Sequence, residues 1–187
     1  MGQQKALLPW GSATLIEYQL NSLLKAGVSH IVVVLGYRAE KLRALAESLP
    51  NTKAILNLRY RTGKSSSVRA GLRHIARGAE ILILSVDQPR SPHTIRSVIK
   101  AHFQTSSLIT YPTYQGQGGH PIIFSTRLLP EMTAIRETRQ GLREVIENHR
   151  SQISRIPHED TTILLDLNKP EDYTKAYDIS QVQINGT

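Results

Sequence analysis

Short apolar runs alternate along the chain with longer segments in which apolar residues recur at helical spacing. The apolar runs predict β-strands at residues 30–35, 53–56, 81–86, 108–111, 121–124, 153–156 and 163–166. The amphipathic segments predict helices at residues 14–26, 38–48, 65–76, 92–103, 127–135 and 142–148, and a last helix from Pro170. We therefore predict an α/β fold of Rossmann-like, three-layer α/β/α type with a mostly parallel sheet.

Local signals support two of these elements. Thr14 and Glu17 have the spacing of a helix capping box, and Gly27 follows the predicted end of the same helix. The run at residues 81–86 is apolar almost throughout, as expected for a strand that is buried on both faces. That run stops at Asp87, which therefore lies at the carboxyl end of a predicted central strand.

Composition narrows the possible classes of protein. The 187 residues, 40% hydrophobic and 20% charged, suit one globular domain, which we place at residues 1–178 with a flexible tail at 179–187. The net charge of +8 suits polyanionic partners, but Lys and Arg are scattered, so nucleic acid is not the expected partner. Cysteine is absent, which excludes disulfides and thiolate metal sites, and no apolar run could span a membrane. The expected location is the cytoplasm.

Polar side chains follow two of the predicted strands. Asp87 ends the run ILILSVD, and Asp166 ends ILLD, with Asn168 two residues further on. Ligands of open parallel sheets bind at the carboxyl ends of strands, and oxygen ligands from two strands could share a magnesium ion. The alternative is local: Asp87 could cap a turn, and Asn168 could cap the helix that Pro170 enters.

A glycine and three serines precede a predicted helix in RTGKSSSVRAGL. Free N–H groups at the start of a helix favour an anion or the polar edge of a nucleobase, which would give Gly63 and Ser65, Ser66 and Ser67 a binding role. Serine is also a good helix cap, but capping needs only one of the three.

The segment GQGGHP contains Gly116, Gly118, Gly119, His120 and Pro121. It is long and flexible enough to close over a substrate, although a surface hairpin loop would have a similar composition. The chain has no GxSxG, no Walker loop and no complete GxGxxG, so it lacks the fingerprints of serine hydrolases, P-loop NTPases and dinucleotide dehydrogenases.

Taken together, these segments resemble the MobA/MocA-like nucleotidyltransferases, which attach a nucleotide to molybdopterin. MGQQKALLPWG resembles the end of that family's AAGxSxRMGxxKxLLP signature, and NLRYRTGKSSSVRAGL is similar to its NPxxxxGxxSSLxxGL stretch. SVDQP is similar to its metal-binding DQP or DMP, GQGGHPIIF to its GxxGHPxxF segment, and LDLNKPEDY to its DIDTPEDY. Order and spacing are kept over nearly the whole chain.

The resemblance implies a nucleotide-diphospho-sugar transferase-like fold and a Mg²⁺-dependent transfer from an NTP to molybdopterin with release of pyrophosphate. CTP is favoured over GTP, because the GHP and DQP forms look more like the cytidylyl-transferring branch. A molybdoenzyme is a possible further partner. The resemblance also implies that Lys5 and Asp87 are catalytic and that Asp87 and Asn168 bind the metal. The implied nucleotide-binding residues are Gly2, Lys5, Leu7, Gly63, Ser65, Ser66, Ser67 and Arg69, and the implied acceptor-binding residues are Gln88, Gly118, Gly119, His120 and Pro121.

Two departures from the family pattern shape the expectations. Asn168 stands where the family has a second aspartate, and Lys169 replaces its threonine. The family's first strand and glycine-rich loop would precede Met1, so we expect Met1 to correspond to an internal methionine. The alternatives are a transferase for another phosphorylated acceptor, such as a sugar phosphate, and a non-catalytic relative that binds a nucleotide or a protein partner.

Overall fold

The structure is a computed structural model that describes residues 4–37 and 39–185, with side chains as far as Tyr177. The strands are β1 (Pro9–Trp10), β2 (Ala13–Thr14), β3 (Ile31–Leu35), β4 (Thr52–Leu56), β5 (Ile81–Ile83), β6 (Ile109–Tyr114), β7 (Gln117–Gly118), β8 (Ile122–Phe124) and β9 (Ile153–Pro157). The α-helices are α1 (Leu15–Lys25), α2 (Ala39–Glu47), α3 (Lys64–Leu72), α4 (Pro92–Phe103), α5 (Leu129–Ala134), α6 (Leu142–Asn148) and α7 (Pro170–Asn185). The predicted α/β class is confirmed.

The strands form a hairpin, a pair and a larger sheet. β1 and β2 form the hairpin, β3 and β4 form a parallel pair, and a five-stranded sheet has the order β5-β8-β6-β7, with β9 beside β6. The two longest ladders, β3 with β4 and β6 with β9, are parallel. β8 runs antiparallel to β5 and β6. β6 turns into β7 through Gln115 and Gly116, both at positive φ, and such a two-residue turn joins antiparallel strands without a crossover helix.

Helix starts agree with the local capping signals except at α3. Thr14 and Glu17 form the predicted capping box at α1. The cap of α3 is Gly63, at φ 107°, and the predicted serines lie inside the first turns of the helix. α3 also ends at Leu72 rather than near residue 76.

The strand predicted at residues 163–166 is wrong. A 3-10 helix at Thr161–Leu164 occupies this segment, because Asp160 accepts a hydrogen bond from the Thr162 amide at 2.8 Å and bends the chain. Ile163 is fully buried, and its carbonyl oxygen accepts hydrogen bonds from the Arg90 side chain and the His120 amide instead of a strand partner. The apolar character that suggested a strand reflects burial of a loop.

The segment predicted as a tail is helical as far as it is described. α7 runs through residues 179–185 to Asn185. Its first part is held by an aromatic cluster in which Trp10 contacts Tyr18, Tyr173 and Tyr177, with ring centroids 6.0, 6.2 and 6.1 Å away. This cluster joins the two ends of the described chain.

β3 and β5 each have a free edge. Among the described residues, β3 pairs only with β4, and β5 pairs only with β8. Side chains on both strands are apolar but only half-buried, including Val32, Val33, Val34, Leu82 and Ile83. Strands with ladder partners on both sides would bury such residues more fully.

Candidate functional site

The structure brings together three side chains that the sequence separates widely. Lys5 Nζ lies 3.5 Å from Asp87 Oδ2 and 3.5 Å from Asn168 Oδ1. Lys5 starts a short 3-10 turn, Asp87 follows β5, and Asn168 precedes α7. The Leu167 amide donates a hydrogen bond to the Asp87 carbonyl at 2.8 Å, which ties the last two segments together. We call Lys5, Asp87 and Asn168 the lysine cluster.

Two polar groups beside the lysine cluster are buried without a hydrogen-bond partner among the described residues. They are Asp166 Oδ1 and Gln88 Oε1. Buried polar atoms normally find a partner, and an unsatisfied acceptor is costly. Gln88 directly follows Asp87, and Asp166 lies two residues before Asn168, so both unsatisfied acceptors belong to the two segments that carry the lysine cluster.

Arg90 connects the segments that surround the cluster. It is 1% exposed, and its guanidinium donates hydrogen bonds to the carbonyl oxygens of Pro89, His120, Ile163 and Leu165 at 2.8, 2.9, 2.6 and 3.0 Å. Burial lowers its pKa to about 10, so Arg90 remains a cation at neutral pH. This role of Arg90 was not predicted from the sequence, although its position directly after Asp87-Gln88-Pro89 was a signal.

Two backbone hydrogen bonds anchor the GQGGHP loop. The Gly119 amide donates to Pro112 O at 2.8 Å, and the His120 amide donates to Ile163 O at 3.1 Å. A Cβ atom on Gly119 would lie 2.5 Å from Ile163 O, so only glycine fits there. The His120–Pro121 bond is cis.

His120 is neutral at physiological pH. Burial, and then the positive charge of Arg90, lower its pKa from 6.5 to about 4. It lines an apolar cavity of about 160 Å³ between the loop and α6. The lining residues are Tyr111, Gly118, Gly119, His120, Ile122 and Ile146. This cavity could receive an apolar or flat part of a second substrate.

Residues 1–153 match the MobA-like NTP transferase domain. The chain belongs to this family. It is 28% identical over 179 residues, 94% of this chain and 88% of the relative, to the molybdenum cofactor cytidylyltransferase of Escherichia coli (strain K12). It is also 29% identical over 138 residues, 70% of this chain and 66% of the relative, to the nicotine blue oxidoreductase of Paenarthrobacter nicotinovorans.

Solved structures agree at the level of the fold. A Mycobacterium tuberculosis H37Rv protein, crystallised as a complex with manganese, superposes with a TM-score of 0.78 at 24% identity. The match covers 95% of this chain and 93% of the other. The chain therefore shares the fold of this structure, and its membership of the MobA-like NTP transferase family makes it a nucleotidyltransferase.

The α3 region of this MobA-like transferase differs in detail from the prediction. The Ser65 amide, expected to be free for a ligand, donates to Glu137 Oε2 at 2.8 Å. Hydrogen bonds from the Ser65 side chain and backbone lower the pKa of Glu137. A Cβ atom on Gly63 would lie 2.4 Å from the Glu137 carboxyl carbon, so Gly63 makes room for this contact.

Asn57 organises the other two serines. Its Nδ2 donates to Ser66 Oγ at 2.9 Å and to Ser67 Oγ at 3.0 Å, while its Oδ1 accepts from the Arg59 amide at 2.9 Å. Ser66 Oγ in turn reaches Arg59 O at 2.9 Å. Neither Asn57 nor Glu137 was among the predicted site residues. Glu137 acts on α3 from a distant part of the chain, whereas Asn57 opens the NLRYRTGKSSSVRAGL stretch, and its place in that motif was a signal.

The predicted site residues therefore fall into separate groups. Lys5, Asp87 and Asn168 meet, and Gln88 and His120 lie around Arg90 beside them. Leu7 packs against the core formed by α1 and β3. Gly63, the serines and Arg69 form a second group on and before α3, with no hydrogen bond or ion pair to the lysine cluster among the described residues. Gly2 lies outside the described residues.

A divalent metal, which nucleotidyltransferases of this family use, fits the lysine cluster. Asp87 and Asn168 present two hard oxygen ligands, and Mg²⁺ accepts one or two protein ligands together with water and substrate phosphates. The described residues contain no group of three or more His, Asp or Glu side chains that could hold a metal without such help. None of the described helices is both long and apolar enough to cross a membrane.

Proposed function

We propose that this protein transfers a cytidylyl group from CTP, or in second place a guanylyl group from GTP, to molybdopterin and releases pyrophosphate. The observation that carries the proposal is the meeting of Lys5, Asp87 and Asn168 at 3.5 Å in a MobA-like transferase. The similarity to a curated molybdenum cofactor cytidylyltransferase over 94% of the chain supports the choice of base and acceptor. A molybdoenzyme that receives the product would be the protein partner.

The chain's own contribution to the reaction would be positioning and charge neutralisation. Nucleotidyl transfer needs an acceptor phosphate oxygen in line with the α-phosphorus and its leaving pyrophosphate. Lys5 would neutralise negative charge on the triphosphate from one side. Asp87 and Asn168 would hold Mg²⁺, which supplies Lewis-acid stabilisation of the phosphate oxygens. Ser66 and Ser67 would lie near the base.

The acceptor would bind on the side of Arg90 and the GQGGHP loop. The apolar cavity beside His120 suits a flat ring, and a neutral His120 can donate or accept one hydrogen bond without adding charge. Gln88 precedes Pro89 and Arg90 on this side, and its Oε1 could accept a hydrogen bond from the acceptor only after its buried side chain turns outward. Arg90 would fix the distance between this acceptor side and the lysine cluster.

The test is a pyrophosphate-release assay with purified molybdopterin, Mg²⁺ and each of CTP, GTP, ATP and UTP. We expect release with CTP above all, and a loss of about 100-fold or more in Asp87→Asn, because it removes the carboxylate for the metal. Glu40→Gln, a change at an exposed carboxylate, should retain full activity. Melting temperatures of all variants establish that each is folded.

Three results would contradict the proposal. Release with a sugar phosphate but not with molybdopterin would change the acceptor. Nucleotide binding without release in any combination would identify a non-catalytic relative. Full activity of Asp87→Asn would remove the lysine cluster from the mechanism.

A further inference from the structure

The aromatic cluster around Trp10 belongs to a larger apolar core. The buried side chains of this core, each 4% exposed or less, are Trp10, Leu15, Leu167 and Ala176. The partly buried side chains packed against them are Tyr18, Val86, Leu165, Tyr173 and Tyr177. We call this set the aromatic core. It joins the β1–β2 hairpin and the first turns of α1 to the segment after β5 and to α7.

Two residues of the lysine cluster follow directly on members of the aromatic core. Val86 precedes Asp87, and Leu167 precedes Asn168. Leu167 is 1% exposed, and its amide bonds to the Asp87 carbonyl, so packing and a hydrogen bond act on the same pair of segments. Because protein interiors are close-packed, a change in this core displaces the backbone on which both side chains stand.

Lys5 reaches the aromatic core through the β1–β2 hairpin. The Leu8 amide donates a hydrogen bond to Lys5 O at 3.0 Å, and the Leu15 amide donates one to Leu8 O at 2.9 Å. These bonds join the turn that carries Lys5 to the hairpin and to the start of α1. Trp10, at the end of β1, inserts the hairpin into the core.

Tyr173 of α7 holds this hairpin in two ways. Its hydroxyl donates a hydrogen bond to the carbonyl oxygen of Pro9, and its ring centroid lies 6.2 Å from that of Trp10. The helix that carries Tyr173 begins two residues after Asn168. Tyr173 therefore links the segment that carries Asn168 to the segment that carries Lys5.

We propose that Tyr173 is a positioning residue that sets the place of Lys5 opposite Asp87 and Asn168. It makes no hydrogen bond to the lysine cluster among the described residues and acts through Pro9 and the hairpin. Because Lys5 would act on the triphosphate, this role rests on the proposed function. A misplacement of about 1 Å can cost on the order of 100-fold in rate, so a residue outside the site can control the reaction.

The first test measures the place of Lys5 without any substrate. Lysine amines are acetylated at a low reagent concentration, and peptide mass spectrometry compares the rate at Lys5 with the rate at the exposed Lys41. An ammonium group held by Asp87 is acetylated more slowly than a free one, because it must first lose its partner and its proton.

We expect Tyr173→Ala to raise the relative acetylation rate of Lys5 about twofold to fivefold, the effect of losing a partly exposed ion pair. Tyr173→Phe should raise it less, because it keeps the ring on Trp10 and loses only the bond to Pro9. The matched control is Tyr114→Phe, which removes a hydroxyl that accepts a hydrogen bond from Gln115 at the β6–β7 turn, and it should leave the rate unchanged. Melting temperatures establish that each variant is folded.

The second test measures transfer with CTP, Mg²⁺ and molybdopterin. Tyr173→Ala should lower kcat about tenfold or more, with a smaller loss in Tyr173→Phe and none in Tyr114→Phe. In a Lys5→Gln background the same change at Tyr173 should cost little further, because residues that act through one another are not additive. A purely structural role would lower activity equally in both backgrounds.

The two tests separate this role from the proposed function. Absence of transfer by the wild type would refute the function, and the acetylation of Lys5 would still decide the role of Tyr173. The role is overturned by equal acetylation of Lys5 in Tyr173→Ala and Tyr114→Phe. It is also overturned if Tyr173→Ala costs as much activity in Lys5→Gln as in the wild type.

Discussion

At the scale of single residues, Arg90 contributes most to the shape of the site. One buried guanidinium satisfies carbonyl oxygens from the segment after β5, from the GQGGHP loop and from the turn before Asp166. No β-sheet hydrogen bonds join these segments to one another at these positions, so the Arg90 side chain links them instead. Its charge also contributes to the low pKa of His120.

We predict that Arg90→Met lowers the free energy of unfolding by about 3 kcal/mol or more, because several buried carbonyl oxygens lose their partner. Urea denaturation measures this loss. Arg43→Met is the matched control, since Arg43 forms only an exposed ion pair with Glu47 and should change the free energy of unfolding by less than about 1 kcal/mol. Equal effects of the two changes would show that Arg90 does not hold these segments.

At the scale of elements, the N-terminus of α3 binds an anion that the protein itself supplies. Free amides at a helix N-terminus favour an anion, and the sequence suggested a ligand in that place. The structure supplies an internal anion, the Glu137 carboxylate, at the Ser65 amide. The glycine at position 63 is needed for this contact, because a side chain there would collide with Glu137.

We predict that Glu137→Gln lowers the free energy of unfolding at neutral pH by less than about 1 kcal/mol, since the carboxylate is exposed and screened. The pKa of Glu137 is lowered in the folded state, so its stabilisation is present above the ordinary Glu pKa of about 4.3 and is lost as the pH falls through the lowered value. Urea denaturation of variant and wild type across this pH range should therefore converge on acidification. A deficit that does not depend on pH would exclude the carboxylate charge as the cause.

At the scale of the whole molecule, the β3–β4 pair and the five-stranded sheet differ in how many neighbouring strands support each strand. β6 has neighbours β7, β8 and β9 along its length, whereas β3 and β4 form a pair of their own. The valines at the centre of β3 are only half-buried, while Ile109 and Thr110 of β6 are fully buried. Local opening is easier where fewer apolar contacts and ladder bonds must be broken.

We predict that the backbone amides of β3 and β4 exchange with deuterium faster than those of β6 and β9. Hydrogen exchange followed by mass spectrometry compares the two regions in one sample. The comparison between the two pairs is matched, because β3 with β4 and β6 with β9 are both parallel ladders of equal length. Equal protection of the two pairs would mean that the whole molecule opens as one unit.

Much of the architecture follows from local pattern. The capping box at Thr14, the start of α4 at Pro92 and the strand β3 come from signals within a few neighbouring residues, and the structure confirms them. The predicted strand at 163–166 failed for a physical reason. A buried turn and a buried strand are equally apolar, and the partner that distinguishes them, Arg90, lies 73 residues away.

The candidate site also contains residues that the sequence predicted and residues that it did not. Lys5, Asp87 and Asn168 could be proposed from motif order, and their meeting is consistent with that proposal. Glu137 could not, because a glutamate outside any motif carries no local mark of the helix that it will contact. Asn57 was not predicted either, although it opens the NLRYRTGKSSSVRAGL stretch.

The class of fold, most helix and strand positions and the family follow from the sequence alone, because periodicity, capping and motif spacing are properties of neighbouring residues. The meeting of Lys5 with Asn168 across 163 positions and the joining of three segments by Arg90 appear only in the tertiary structure. The physical reason is that these features depend on contacts between distant segments, which form only when the chain packs and excludes water.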